Sequence, residues 1–265
     1  MERPSLDDDD LAILGLLAEH RVAHSGHVQT LLGRSAAAAG RHLSALERHG
    51  LIRRERIFTG QPPAVWITRS GLGRVGSRLP QPRPDLKGYR HDIGAAWLWL
   101  AARDGVFGAL RAQLSERTMR AHDRRPDRDE RPLGVGIGPG EARHYPDLLL
   151  ETATGHRVAV ELELTPKSRR RLDRIMLGYA CDARIDAVLY VCPPGPIRPA
   201  VEAAARRAGI ADLVHVQPLA VGAPHGAPDP AATVARRAPA RAPATPARRT
   251  PARAPSAPTR PALSR

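Results

Sequence analysis

The chain has 265 residues and a formal net charge of +14, from 41 basic and 27 acidic side chains. Its two cysteines form no CxxC pair and no Cys/His cluster with zinc-ligand spacing, which excludes a disulfide scaffold and a zinc module. IGAAWLWLAA, the longest apolar stretch, reaches about half the length of a membrane span. The composition therefore predicts a soluble, cytoplasmic protein without a membrane segment, whose partner is a polyanion.

Residues 8–76 have the pattern of a winged helix-turn-helix. Three helices are predicted from DDDLAILGLLAEHRV, SGHVQTLLG and SAAAAGRHLSALERHG, with Ser25 and Ser35 as N-caps and Gly50 as a helix stop. IRRERIF and AVWIT, on either side of TGQPP, then predict a β-hairpin, the wing. In such a module the third helix enters the major groove of DNA, and the wing contacts the flanking backbone.

The third helix and the hairpin carry side chains that suit DNA. Guanidinium and imidazole groups bind phosphate oxygens, and arginine also recognises guanine edges. The predicted DNA-binding residues are Arg34, Arg41, His42, Arg48, Arg53, Arg54 and Arg56. Winged helices also dock on proteins, so the pattern leaves a protein partner open.

A second domain follows the Pro-rich linker of residues 77–87. In residues 88–221 we predict a long helix (RHDIGAAWLWLAARDGVFGALRAQL), a strand (LSERTMRAH), two more strands (HYPDLLLE and HRVAVELEL), a helix (SRRRLDRIMLGYACDA) and a strand–helix–strand unit. This alternation favours an α/β domain with a mixed sheet, so that the whole chain is α+β. Residues 222–265, with eight arginines and one aspartate, predict a disordered Ala/Pro/Arg-rich basic tail.

Three carboxylates stand in otherwise apolar strands, where an unpaired charge is costly. The order helix, strand, strand with Pro146-Asp147, strand with Glu161-Leu162-Glu163, helix, strand resembles the PD-(D/E)xK nuclease core. Strand alternation places Glu161 and Glu163 on one face and Leu162 on the other. Carboxylates are hard ligands that suit Mg²⁺ or Mn²⁺. We therefore expect Asp147, Glu161 and Glu163 to be metal ligands and catalytic residues.

The last position of this motif departs from the nuclease pattern. It is usually lysine, and here it is Glu163. Lys167 lies four residues further on and is included among the catalytic candidates, although Arg170 or Arg174 could equally reach back, and the spacing does not decide between them. The alternative is that the acids pair at the surface with Arg169, Arg170, Arg171 or Arg174 and hold no metal.

Both halves together resemble the replication-relaxation family of actinobacterial plasmids and mobile elements. The resemblance covers residues 8–195 and lies in AVWITRSGLGRVG, HDIGAAWLWLAAR, LSERTMRAH, YPDLLLE and VAVELELT. It implies a role in plasmid or mobile-element replication, relaxation or transfer, with DNA and replication or transfer proteins as partners. His91 and Asp92 stand at a position that looks characteristic of the family, so His91 is a further candidate for the site, while Asp92 is expected to cap its helix. Glu116 is a candidate because the nuclease core often adds a glutamate from its first helix or strand. Tyr179 shares its helix with Ile175 and Met176 and is expected in the core.

Two functions follow from the sequence. The first is a DNA-binding protein with metal-dependent DNA nicking activity, and the second is a non-catalytic winged-helix regulator or replication accessory protein with a degenerate nuclease fold. The residues alone leave both functions open.

Overall fold

The structure is a computed structural model that describes residues 5–125, 131–138, 140 and 142–219. The predicted disordered tail of residues 222–265 lies outside this part. The helices are α1 (Asp8–Glu19), α2 (Ser25–Leu32), α3 (Ala36–Arg48), α4 (Arg69–Arg74), α5 (Tyr89–Arg103), α6 (Glu116–Asp123), α7 (Arg169–Cys181) and α8 (Ile197–Arg207). The strands are β1 (Ile52–Glu55), β2 (Ala64–Ile67), β3 (Leu110–Ser115), β4 (Val135–Gly136), β5 (Arg143–His144), β6 (Leu148–Thr152), β7 (Arg157–Leu162), β8 (Ala187–Cys192) and β9 (Val214–Pro218). Every helix in the described part is too short or too polar to cross a bilayer.

The N-terminal part contains three helices and a β-hairpin in the predicted order. Strands β1 and β2 pair antiparallel, and α1 to α4 pack around one apolar core with them. Ser35 caps α3 as predicted, accepting a hydrogen bond from the Ala38 amide, and Gly50 follows α3 with a positive φ of 67°. The prediction for α2 is wrong by one residue, because His24 is the N-cap and its amide donates to His27 Nδ1.

A mixed five-stranded sheet forms the second part, in the order β3-β6-β7-β8-β9. Strands β3, β6 and β7 pair antiparallel, and β7, β8 and β9 pair parallel, which confirms the predicted mixed sheet. Leu162 lies in the apolar layer that the sheet forms with α5. Ala159 lies in the opposite layer, formed with α7 and α8, so the predicted alternation along β7 is confirmed.

Two predictions for the start of this region are wrong. The long helix ends at Arg103 rather than running through RAQL, because Gly105 and Gly108 adopt positive φ angles of 81° and 87° that end the helix. LSERTMRAH is not a strand. Its first residues complete β3, and Ser115 Oγ then accepts from the Thr118 amide and starts α6.

Helix α5 is buried on two sides, which joins the two parts. Tyr89, Ile93 and Trp97 recur at the spacing of one helical face and belong to the core of the N-terminal helices. Leu98 belongs to the sheet core on another face. Next to it, a Cβ on Gly94 would lie 2.4 Å from Leu162 Cδ2, so the absence of a side chain lets the helix lie close against the end of β7.

Polar contacts between α1 and the α5–α6 region reinforce this junction. Arg21 follows α1 and places one guanidinium nitrogen 3.2 Å from Asp92 and the other 3.5 Å from Glu116. Glu19 accepts hydrogen bonds from the hydroxyls of Ser115 (2.6 Å) and Thr118 (2.7 Å). The end of α1 is therefore bound to α5 and to the start of α6.

Buried histidines line the same junction. His27 Nε2 lies 3.1 Å from the Ile93 carbonyl oxygen, and its ring stacks on Trp97 with centroids 4.1 Å apart. His24 Nε2 lies 2.7 Å from Tyr89 Oη. Burial lowers the pKa of His20 and of His27 to about 3, so both rings are neutral in the folded protein near pH 7.

Acid should weaken this junction through His27. Between the unfolded pKa of 6.5 and the folded pKa of about 3, the unfolded chain binds a proton that the folded chain does not. The free energy of unfolding therefore decreases as the pH is lowered through this range. One pKa unit corresponds to about 1.4 kcal/mol. On lowering the pH from about 7.5 to about 5, the free energy of unfolding of His27→Gln should therefore decrease by about 2 kcal/mol less than that of the wild-type protein. Urea unfolding at each pH measures this difference. The exposed His49→Gln control should follow the wild-type profile, and parallel profiles for His27→Gln would contradict a neutral buried His27.

Candidate functional site

Asp147, Glu161 and Glu163 lie together at one end of the β6–β7 pair. Leu148 pairs with Val160, and continuing this antiparallel register by one residue places Asp147 opposite Glu161. The Leu162 amide donates to Asp147 Oδ2 at 2.7 Å, and the Glu163 amide donates to the Val191 carbonyl oxygen at 2.9 Å. All three carboxylates are buried, with 9%, 3% and 5% of each residue exposed. We refer to these three residues as the carboxylate cluster.

Asp147 is paired with a histidine from α5. His91 Nε2 lies 3.2 Å from Asp147 Oδ2. Burial opposes the charge of His91, but the Asp147 and Asp92 carboxylates together outweigh it and raise the pKa of the ring to about 9. His91 is therefore a cation near neutral pH and balances Asp147.

Glu161 has two partners from different elements. His144, at the end of β5, places Nε2 2.5 Å from Glu161 Oε1, and the Tyr179 hydroxyl of α7 donates to the same oxygen. Burial acts to raise the pKa of Glu161, yet His144 and the hydrogen bonds outweigh it, and the net shift is downward. The pKa of His144 is raised, since the Glu161 charge outweighs the burial of the ring. Glu161 is thus a buried carboxylate in an ion pair.

Lys167 reaches back to Glu163. Its ammonium forms an ion pair with Glu163 Oε2. Arg174, one of the alternatives, instead donates from Nε to the Ile137 carbonyl oxygen at 2.9 Å. Burial raises the pKa of Glu163, in opposition to Lys167, which lowers it. The structure thereby resolves which cation approaches the position where the nuclease pattern has lysine.

Each carboxylate of the cluster uses one oxygen for these partners. Asp147 Oδ1, Glu161 Oε2 and Glu163 Oε1 receive no hydrogen bond from the described residues. Mg²⁺ is usually held by one or two carboxylates with waters completing its shell, so Asp147 and Glu161 suit the ion as a pair. In the described part, three ligand atoms lie within 4.8 Å of one another only at Asp7, Asp10 and His42. The carboxylate oxygens of Asp147, Glu161 and Glu163 therefore do not all lie within 4.8 Å of one another.

Other candidates have different positions. Glu116 pairs with Arg120 at 2.7 Å and with Arg21, and only its backbone amide reaches Asp147, donating to the carbonyl oxygen at 3.1 Å. Asp92 pairs with Arg21 and does not cap α5, whose N-cap is Gly88, so the expected capping role is wrong. Tyr179 is buried as expected, but its hydroxyl also belongs to the site. Sequence reasoning missed His144 as well, although it stands three residues before Asp147 in the HYPD segment.

The predicted DNA-binding residues divide into two groups. Acids of the N-terminal part already pair with three of them: Arg34 with Asp9 at 3.4 Å, His42 with Asp10 at 2.8 Å and Arg54 with Glu47 at 2.7 Å. Arg56 donates to the Gln61 carbonyl oxygen. Arg56 is exposed and has no acidic partner in the described part, and the same holds for Arg41, Arg48 and Arg53. These four arginines carry the uncompensated charge of the predicted DNA-binding surface.

Comparisons with known proteins add little to this geometry. No protein-family model and no curated protein matches the chain. Among solved structures, a double mutant of ZitR from Lactococcus lactis is similar at 20% sequence identity, over 38% of this chain and 63% of that one, with a TM-score of 0.25. At that TM-score the likeness supports no functional conclusion. The resemblance to the replication-relaxation family therefore stays a prediction.

Removing the base beside Glu161 should destabilise the fold. His144→Ala leaves the Glu161 carboxylate buried with Tyr179 as its remaining partner, and breaking such a buried pair costs about 3 kcal/mol. Arg198→Ala breaks an exposed pair with Glu202 and should cost less than about 1 kcal/mol. Urea unfolding followed by circular dichroism measures both. Adding Glu161→Gln to His144→Ala should restore part of the stability, and equal small effects of the two single variants would contradict a charged Glu161.

Proposed function

We propose that the protein binds DNA through its N-terminal helices and wing, and that the carboxylate cluster makes it a metal-dependent DNA nicking endonuclease. The replication-relaxation resemblance would place this activity in plasmid or mobile-element replication, relaxation or transfer. The observation that carries the proposal is the cluster itself. Three buried carboxylates meet at one end of a β-strand pair, and each is balanced by a base and retains one oxygen without a hydrogen bond.

The residues of the cluster have separate roles in this proposal. Asp147 and Glu161 would hold Mg²⁺ or Mn²⁺ through their remaining oxygens. A bound ion of this kind polarises a phosphate and generates hydroxide near neutral pH. Lys167, held by Glu163, provides a fixed ammonium beside the carboxylates, where it can bind a phosphate oxygen and stabilise developing negative charge. His144 and Tyr179 fix the Glu161 side chain, and His91 fixes Asp147.

DNA binding would depend on the exposed arginines of α3 and β1. Arg41, Arg48 and Arg53 have no acidic partner in the described part, so their guanidinium groups are available to phosphates and guanine edges. The basic tail, which lies outside the described residues, would add a salt-sensitive attraction to any DNA.

The second candidate function is a non-catalytic DNA-binding regulator or replication accessory protein. Two observations favour it: Glu163 replaces the usual lysine, and the cluster does not bring three ligand atoms within 4.8 Å of one another. In that case the ion pairs would serve only to stabilise the sheet, and DNA binding would proceed without cleavage.

Nicking of supercoiled plasmid separates the two functions. We expect nicking with Mg²⁺ or Mn²⁺, none with EDTA, and none by Asp147→Ala/Glu161→Ala. Glu151→Ala, which changes a half-buried acid of β6 four residues after Asp147, serves as the matched control and should retain activity. Gel electrophoresis quantifies the nicked form, and circular dichroism checks that the variants fold. Full DNA binding without cleavage under any metal would contradict the nuclease and support the accessory function.

The DNA surface has its own test. Arg41→Gln/Arg48→Gln/Arg53→Gln should weaken binding and lower the slope of log K against log salt by about 1 for each phosphate group that the variant no longer neutralises. Arg34→Gln, whose charge Asp9 already balances, should change binding much less. Fluorescence anisotropy with labelled duplex measures both, and equal affinity for the triple variant and the wild-type protein would show that DNA binds elsewhere.

A further inference from the structure

The start of α7 carries a dense group of exposed arginines beside the carboxylate cluster. We propose that this α7 basic face, made of Arg169, Arg170, Arg171 and Arg174, binds the phosphate backbone of the DNA strand that reaches the cluster. The inference rests on the proposed function in taking DNA as the bound polymer. It does not depend on cleavage, because a strand can be held there whether or not it is cut.

Nearby acids leave most of this charge uncompensated. Arg170 and Arg171 are exposed and have no acidic partner in the described part of the chain. Arg169, with 77% of its side chain exposed, lies 3.7 Å from Asp173. Asp173 in turn accepts from Arg207 Nε at 3.0 Å, so this one carboxylate is shared between two guanidinium groups. The face therefore presents a net positive charge to solvent.

The chain connects this face directly to the cluster. Lys167 binds Glu163, Ser168 caps α7, and Arg169 is the first helical residue, so the Cα atoms of Lys167 and Arg169 are at most about 8 Å apart. Further along the same helix, Tyr179 bonds to Glu161. Since a DNA strand advances about 3.4 Å per nucleotide, the arginines can contact phosphates about two or three nucleotides from the cluster.

The chemistry of the face favours phosphate over a protein partner. Guanidinium groups form paired hydrogen bonds with phosphate oxygens, and four of them recur here within six residues. The shallow groove on this side measures 490 Å³ and contains one exposed apolar side chain, Leu177, which is 58% exposed. A single leucine is a small apolar anchor, whereas protein interfaces have an apolar core with a polar rim. Nucleic acid is the partner that matches a row of cations with so little acid beside it.

The test compares two variants of the full chain that remove the same charge. Arg169→Gln/Arg170→Gln/Arg171→Gln changes the α7 basic face. Arg78→Gln/Arg83→Gln/Arg206→Gln removes three exposed arginines elsewhere that have no acidic partner in the described part. Binding of labelled single-stranded and duplex DNA is measured by fluorescence anisotropy over a salt series in EDTA, so that cleavage plays no part. We expect the first variant to bind about tenfold more weakly, with a salt slope lower by about 2 to 3, and the control to change the slope by less than about 1.

The outcomes separate this inference from the function on which it rests. Equal weakening in both variants would show attraction by bulk charge only and would overturn it. Wild-type affinity of the α7 variant, together with weak binding by Arg41→Gln/Arg48→Gln/Arg53→Gln, would overturn it while leaving DNA binding by the N-terminal part intact. Weaker binding specific to the α7 variant supports it even if no metal gives nicking. Matching thermal unfolding midpoints of all variants exclude misfolding as the cause.

Discussion

A buried carboxylate must be balanced by a cation or by several hydrogen-bond donors, because the protein interior solvates charge poorly. The end of the β6–β7 pair buries three such groups. Their bases come from three separate elements: His91 from α5, His144 from β5 and Lys167 from the segment before α7. The charge balance of the cluster therefore requires the helix, the short strand and the following segment to meet at one edge of the sheet.

Helix α5 links this edge to the N-terminal part. It contributes Ile93 to the core of the N-terminal helices and Leu98 to the core of the sheet, and His91 lies beside Asp92 in its first turn. Arg21, just after α1, binds Asp92, while His91 binds Asp147. A displacement of α1 would therefore be transmitted to Asp147 through Asp92 and His91, which are adjacent in α5. In the proposed function, this continuity would connect the DNA-binding surface mechanically to the carboxylate cluster.

Local patterns in the sequence were sufficient for much of the fold. The alternation in VAVELEL correctly predicts that Glu161 and Leu162 lie on opposite faces of the sheet. Ser35 and Gly50 correctly mark the ends of α3. Both features depend on residues that are neighbours in the sequence. The errors arose where apolar periodicity continued past a local stop. Gly105 and Gly108 end α5 before the pattern does, and the Ser115 cap turns a predicted strand into α6.

The partners in the site could not be predicted in the same way. By their spacing from Glu163, Lys167, Arg170 and Arg174 are all candidates to reach it. In the structure, the turn before α7 places Lys167 beside Glu163. The contacts of His144 and Tyr179 with Glu161 join residues 17 and 18 positions apart, and they depend on how α7 packs against the sheet. Tertiary packing, rather than local sequence, brings His91 to Asp147 and His144 to Glu161.

Paramagnetic broadening by Mn²⁺ reveals directly whether the carboxylate cluster binds a divalent ion, as proposed. Ring signals of His91 and His144 should broaden first in a histidine-detected NMR titration, because these rings contact Asp147 and Glu161. The effect should vanish in Asp147→Ala/Glu161→Ala. Broadening confined to His42, which lies beside Asp7 and Asp10, or no selective broadening at all, would contradict a metal site at the carboxylate cluster.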